Sequence, residues 1–444
     1  MNMIQRASRL ALPLFSLIAL AACGGSSGDK AEEEGFNQGY VQFYNGAANS
    51  ANSSFTVNEI AAGSATFGDA SNMLAIEPGS YKYQLKNASS SNLIKEADIT
   101  LNKGEKTLLL MSGDVANPTI LSLTHKREEK FDDQFRVFVA NLSSNYDKVD
   151  IYTAAETDDF SKATLLETVA SKEITKTGKM LKRGKYKLFI TTAGSKTPFF
   201  EAAAYNFQYT TSYVMVVRDK LGPMVNQVSL DLVGNSTTVE ALEHRLAKGQ
   251  VRIYNSLDNQ QGQIAINNLP VSDLIQDTLT NYIQLDKNDY SLAVLNEKNE
   301  LLLNNVLLTI NAGQSKSVLL FRDAEQKVGA VSFTEKNLPQ VDEHEINVAN
   351  LVPDFKNLHF YFVRQNETIE SAKFHVKALE FKKYASLVLP KDFYSISLVN
   401  VAENGTISLL DKTAVLQLEA GKNYILAAEP SAAAPSGYKI TLVK

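Results

Sequence analysis

The chain has 444 residues, a formal net charge of −5, 18 tyrosines and 21 phenylalanines, no tryptophan and a single cysteine. That length exceeds one sandwich-sized domain and predicts three or four. A mildly acidic chain with no basic stripe is a poor fit to nucleic-acid binding, and one thiol excludes an internal disulfide framework.

The first element in chain order is a targeting segment. Arg6 and Arg9 precede an apolar run over residues 10–20, interrupted by Pro13 and Ser16, and small residues lead into Cys23. This is the anatomy of a secretory signal peptide, too short to span a bilayer as a permanent helix. Leu20-Ala21-Ala22-Cys23 resembles the bacterial lipobox. The resemblance implies cleavage before Cys23, a diacylglycerol on its thiol and an acyl chain on its amine. Each buried methylene then contributes roughly 0.8 kcal/mol to anchoring. Gly24 stands where such lipoproteins often carry the aspartate that retains them in the inner membrane. The resemblance thus implies an outer-membrane lipid anchor, with the chain on the cell surface or the periplasmic face. Residues 1–22 are expected to be signal peptide. Residues 23–38 are expected to be the lipidated Cys23 and a flexible tether, because glycine, serine and the run Glu32 to Glu34 cannot bury a core. Some fifteen such residues reach roughly 20 Å.

Four repeats follow. Each opens on an alternating stretch that closes in asparagine: Asn45, Asn141, Asn255 and Asn350. Alternation predicts half-buried strands, and the asparagine can leave the strand through a side-chain turn. A second landmark is a tyrosine five residues after an apolar side chain: Tyr81, Tyr186, Tyr290 and Tyr394, spaced by 105, 104 and 104 residues. Gly79 and Gly184 before two of them suit a turn of positive φ, and Asn288 can substitute. A third landmark is a turn at Gly104, Gly313 or Gly421, with Tyr209 at the equivalent place in the second repeat, followed by an apolar strand. The interval from asparagine to tyrosine alternates as 36, 45, 35 and 44 residues, which points either to a duplicated two-domain unit or to drift in loop length.

Spacing and composition predict an all-β chain of four tandem immunoglobulin-like β-sandwich domains, over residues 39–125, 134–234, 250–333 and 345–444. The polar links run over residues 126–133, 235–249 and 334–344. Residues 239–248 are expected to form a short helical turn. End to end, four sandwiches would make a rod on the order of 150 Å, and side-by-side packing would shorten it.

Openings such as Val137-Phe138-Val139-Ala140-Asn141 followed by Val149-Asp150-Ile151-Tyr152, and turns such as Pro78-Gly79-Ser80-Tyr81, resemble the bacterial family called domain of unknown function 4397. The third and fourth repeats depart from it by lacking glycine before the tyrosine. The resemblance implies a secreted or cell-surface location and a tandem fold, and no chemistry.

Candidate chemistry is sparse. The histidines are His125, His244, His344, His359 and His375, and none makes the i, i+4 pair of a zinc helix. The one Gly-x-Ser-x-Gly string, Gly24 to Gly28, lies in the expected tether and not on a strand-to-helix turn, so it offers no nucleophile. Asp132-Asp133 lies at a domain junction and Asp158-Asp159 lies near Glu156, but no Asp-x-Asp-x-Asp-Gly loop accompanies them, so solvated faces are the expectation and calcium the sharper alternative. Asp69 is expected in a turn. The four recurring tyrosines are expected to pack in cores with the hydroxyl capping a loop, rather than to stack on sugars. The expected protein has no catalytic residues, no metal and no cofactor. Its partners are the membrane, through Cys23, and an unidentified protein or polysaccharide.

Overall fold

The first sandwich begins where the opening alternation begins. In the computed structural model, which describes residues 37–50, 52–127, 131–220, 228–336, 343–419 and 423–444, this region folds as eight strands. They are β1 (Gly39–Asn45), β2 (Ser53–Val57), β3 (Ile60–Ala65), β4 (Leu74–Ile76), β5 (Gly79–Asn87), β6 (Leu93–Leu101), β7 (Glu105–Ser112) and β8 (Thr119–Lys126). Cys23, the tether and Gly421 lie outside the described residues.

One sheet runs β4-β1-β7-β8 and the other β3-β2-β5-β6. Strands β1 and β7 are parallel, with Tyr40 opposite Lys106, and the remaining pairs are antiparallel. The next three repeats use the same order. Their opening strands Gln134–Asn141, Gly249–Asn255 and Glu343–Asn350 lie parallel to Ser212–Asp219, Ser315–Arg322 and Asn423–Pro430. The described residues thus form four two-layer sandwiches, immunoglobulin-like in their layering. Their connectivity places the first strand parallel to the seventh. Each has its own apolar core, such as Val41, Phe43, Phe55 and Leu85 in the first.

The recurrent asparagines act as the sequence suggested. Each side-chain Oδ1 accepts from the backbone N–H two residues on: Ala47 at 3.4 Å, Ser143 at 3.1 Å, Leu257 at 3.1 Å and Val352 at 3.0 Å. The recurrent tyrosines also share one geometry. Each hydroxyl donates to the carbonyl four residues back: Glu77 at 2.6 Å, Lys182 at 2.8 Å, Asp286 at 2.8 Å and Pro390 at 3.0 Å. Tyr394 is fully buried, whereas Tyr81, Tyr186 and Tyr290 are half-buried at the core margin. The turn before them needs less than expected. Gly184 has a positive φ, but Gly79 and Asn288 do not.

One expectation needs correcting, and one alternative is decided. Residues 239–248 do not form a helical turn. Val239–Leu242 is a strand, paired antiparallel with the edge strand Val228–Val233, and Ala202 bridges His244. Pairing satisfies an edge that would otherwise present open backbone groups, and it buries Leu242 while leaving Glu240 in solvent. The alternative decided is how sandwiches adjoin, end to end or side by side. All seven residues of β1 are buried, as are all of Gly249–Asn255 and Glu343–Asn350. A strand buried on both faces needs a second layer. Tyr44, Leu108 and Leu110 of the first sandwich pack against Phe138, Val214 and Val216 of the second. Tyr254, Leu319 and Phe321 of the third pack against Ala349, Ile425 and Ala427 of the fourth. Within each pair the sandwiches therefore stack sheet against sheet and not end to end.

Candidate functional site

The residues that sequence inspection picked for chemistry are not brought together. Among the described residues no group of three or more His, Cys, Asp or Glu could hold a metal ion. His125 is buried and stacks on Phe138. His344 is fully buried against Tyr424. His359 and His375 flank Tyr361 on adjacent strands. The acidic residues have structural partners: Asp133 pairs with Arg183 at 2.6 Å, Asp158 with Lys162 at 3.1 Å and Glu156 with Lys185 at 3.2 Å. Asp159 caps a single helical turn through Ser161, and Asp69 accepts from the Ala70 N–H in its turn.

Two clusters of deeply buried ionisable groups lie in the seams between paired sandwiches, whereas others, such as Asp219 on Ser143 and Ser144 or His344 on Tyr424, serve a single sandwich. In the first pair, the Tyr44 hydroxyl donates to Asp231 at 2.6 Å, Ser229 donates to the same carboxylate at 2.7 Å, and Arg218 completes the set at 2.5 Å. Burial, then the Asp231 charge, holds the Tyr44 phenol well above its ordinary pKa. Arg218 also lies over the Phe67 ring, and a side chain at Gly68 would strike its guanidinium at 2.6 Å. In the second pair, Tyr254 donates to Glu429 at 2.9 Å, with Thr441 and Lys439 alongside. The same tyrosine recurs, but its acceptor has moved from the eighth strand to the seventh. Burial raises the Glu429 carboxyl to about 7. These networks are closed on themselves and join sandwiches.

An open, chemically mixed cleft lies at one end of the second sandwich. It encloses about 480 Å³ and is lined by Tyr205, Tyr209, Tyr213, Asn235, Thr238 and Glu240, among others. That volume is within the range of small-molecule sites. The rings are held from behind: Phe207 stacks on Phe135 at 4.6 Å and takes Tyr205 and Tyr213 edge-on at 4.8 and 5.3 Å. Tyr213 is buried, which raises its phenol to about 12, whereas Tyr209 is 63% exposed. Thr238 and Glu240, both exposed, come from the added edge strand and its approach.

The neighbouring sandwich braces the rim. Gln42 donates to the Ser236 carbonyl at 3.0 Å, Lys106 to the Gly234 carbonyl at 2.6 Å, and Asn235 to the Arg127 carbonyl at 2.8 Å. Lys106 is buried, which, with Arg127 nearby, lowers its amine to about 7. The sequence reading treated Tyr209 only as a turn landmark and missed this cleft. Its available signal was three tyrosines and a phenylalanine within nine residues, from Tyr205 to Tyr213.

Comparison with known proteins adds a family to this geometry. Residues 39–152 match the model of the family described as Domain of unknown function (DUF4397). That span takes in the whole first sandwich and the second as far as Tyr152, in the strand Lys148–Ala155. The DUF4397 match thus includes the opening strands of both members of the first pair. No curated protein matches the chain. Among solved structures, the chain is similar to the Bacillus anthracis TIE protein, with 11% identity, 85% of this chain and 68% of that one covered, and a TM-score of 0.15. It is also similar to the major pilin subunit of Bacillus cereus, with 9% identity, 67% and 99% covered, and a TM-score of 0.14. Scores so low carry no argument about function.

Proposed function

We propose that the protein is a non-catalytic envelope lipoprotein, anchored in the outer membrane through Cys23, whose paired sandwiches present a binding surface outside the cell. The anchor reading rests on Leu20-Ala21-Ala22-Cys23 after an apolar run. The binding reading rests on one observation: the carboxylates Asp231 and Glu429 in the seams are already partnered across sandwiches, while the tyrosine cleft stays open. A binder needs a rigid scaffold with an accessible mixed surface. A hydrolase needs converging titratable groups at such a surface, and the cleft has the single carboxylate Glu240 among its lining residues.

Protease shaving tests location. Digestion of the protein on intact cells supports surface display. Protection in intact cells, with digestion after lysis, overturns it in favour of a periplasmic scaffold that docks onto an envelope complex or the cell wall. In the same cells, Cys23→Ser is expected to abolish incorporation of a radiolabelled fatty acid and to release the protein from the membrane fraction. Retained labelling would remove the anchor reading.

A further inference from the structure

We infer that the cleft between Tyr209 and the edge strand Val239–Leu242 is a binding site for a neutral polysaccharide, engaged through one or two pyranose units. The inference rests on the reading of the chain as an extracellular binder and names its ligand class.

A pyranose presents two kinds of surface. Its faces carry axial C–H groups, which pack on aromatic rings, and its rim carries hydroxyls that both donate and accept hydrogen bonds. The cleft supplies the complement of both. Tyr209 offers a largely exposed ring, Tyr205 a half-exposed one, and both are stiff platforms with few rotors to immobilise. Around them stand a carboxylate at Glu240, hydroxyls at Thr211, Ser236 and Thr238, and the amide of Asn235. A carboxylate can accept from two neighbouring hydroxyls at once, which suits a diol.

The charge pattern narrows the class. The lining residues include Glu240 and no lysine, arginine or histidine. Phosphorylated or uronic-acid polymers would meet that negative charge with no cation among the lining residues to offset it. A proline-rich peptide is the other ligand that favours tyrosine grooves. Such a peptide presents few donors, and would leave Glu240 and the hydroxyls without partners, at a cost.

The position of the cleft is also specific. In the corresponding sheets of the other three sandwiches, no added strand lies beyond the eighth among the described residues. The strand that brings Glu240 to the tyrosines belongs to the second sandwich. Its rim is braced by Gln42 and Lys106 of the first sandwich, so the site is a property of the pair.

The test is affinity electrophoresis of the full mature chain in native gels containing soluble neutral polymers: a mixed-linkage glucan, a galactomannan, a xyloglucan and a glycol chitin. Alginate serves as the anionic control. At least one neutral polymer is expected to retard the protein, and alginate not to. Tyr209→Ala, at an exposed ring whose loss leaves the core intact, is expected to weaken retardation at least tenfold, and Glu240→Gln about fivefold. Tyr290→Ala in the third sandwich is expected to change nothing. No retardation by any of the four neutral polymers overturns the inference, as does retardation that survives Tyr209→Ala. Binding of an oligoproline peptide in fluorescence anisotropy, lost in Tyr209→Ala, would overturn it in favour of peptide recognition. Surface display, read by shaving, stands or falls separately from these results.

Discussion

A single buried carboxylate, Asp231, shows how the seams work. It accepts from Tyr44 of the opposing sandwich, from Ser229 and from Arg218. Removing the acceptor is worse than removing one donor. Asp231→Ala leaves the Arg218 charge and two hydroxyls without a partner in a dry seam, at about 3–5 kcal/mol. Tyr44→Phe leaves Asp231 still held by Arg218 and Ser229, at about 1–2 kcal/mol. Urea midpoints of the two variants are expected in that order, and equal midpoints would show that the seam is not dry. The histidines set the acid limit. Burial lowers His344 and His125 to about 4 from an ordinary 6.5. The unfolded chain takes up these protons as pH falls below 6.5, but the folded chain resists until about 4. Their contribution is therefore complete above pH 6.5 and is lost progressively toward pH 4. Glu429 runs the other way: its carboxyl keeps its proton to about 7 when folded, so its contribution is complete below pH 4.5 and is lost as pH rises to 7. His344→Leu is expected to flatten the pH dependence of the urea midpoint between 6.5 and 4. An unchanged slope would rule out His344 as a source.

At the level of strands, some features were legible and others were not, for physical reasons. The closing asparagines turn the chain, and the tyrosines cap it, within four residues of themselves, so a local pattern announces these roles. The alternation of intervals pointed to a duplicated two-domain unit, and the sandwiches do adjoin in twos. What escaped was the second face of the opening sheet. A signal was present: β7 is apolar at every position from Leu108 to Met111, which marks burial on both sides rather than one. The added strand escaped because Val239-Glu240-Ala241-Leu242 is short and its partner is chosen by a free sheet edge, not by its own residues. The tyrosine cleft escaped with it, since that strand builds one wall.

For the whole molecule, the seams imply that a pair, and not a sandwich, is the unit that folds independently. Residues 37–127 alone would expose Tyr44, Leu108, Leu110 and Leu123 as one apolar face. A fragment of residues 37–248 covers that face. Light scattering after gel filtration is expected to find the longer fragment monomeric and the shorter one self-associated or insoluble. A monomeric, soluble short fragment would mean that the pairing is dispensable.

The parallel contact of β1 with β7 has a mechanical consequence. Tyr40, Lys106 and His125 lie in one row, so the chain enters and leaves the first sandwich at the same end, about 10 Å apart across two strand spacings. The third sandwich shares this arrangement, with Gln250 beside Ser315 and Glu335, whereas in the second the added strand Val239–Leu242 carries the chain back from that end. Tension along the backbone therefore pries at one end of a sheet and breaks its hydrogen bonds in succession, a weak mode. The seam between Tyr44 and Asp231 ties the easily peeled first sandwich to the second, so that the two resist as one clamp. A ligand held near Tyr209 pulls on that clamp through its own rim, so drag on a captured polymer is shared by both sandwiches of the first pair.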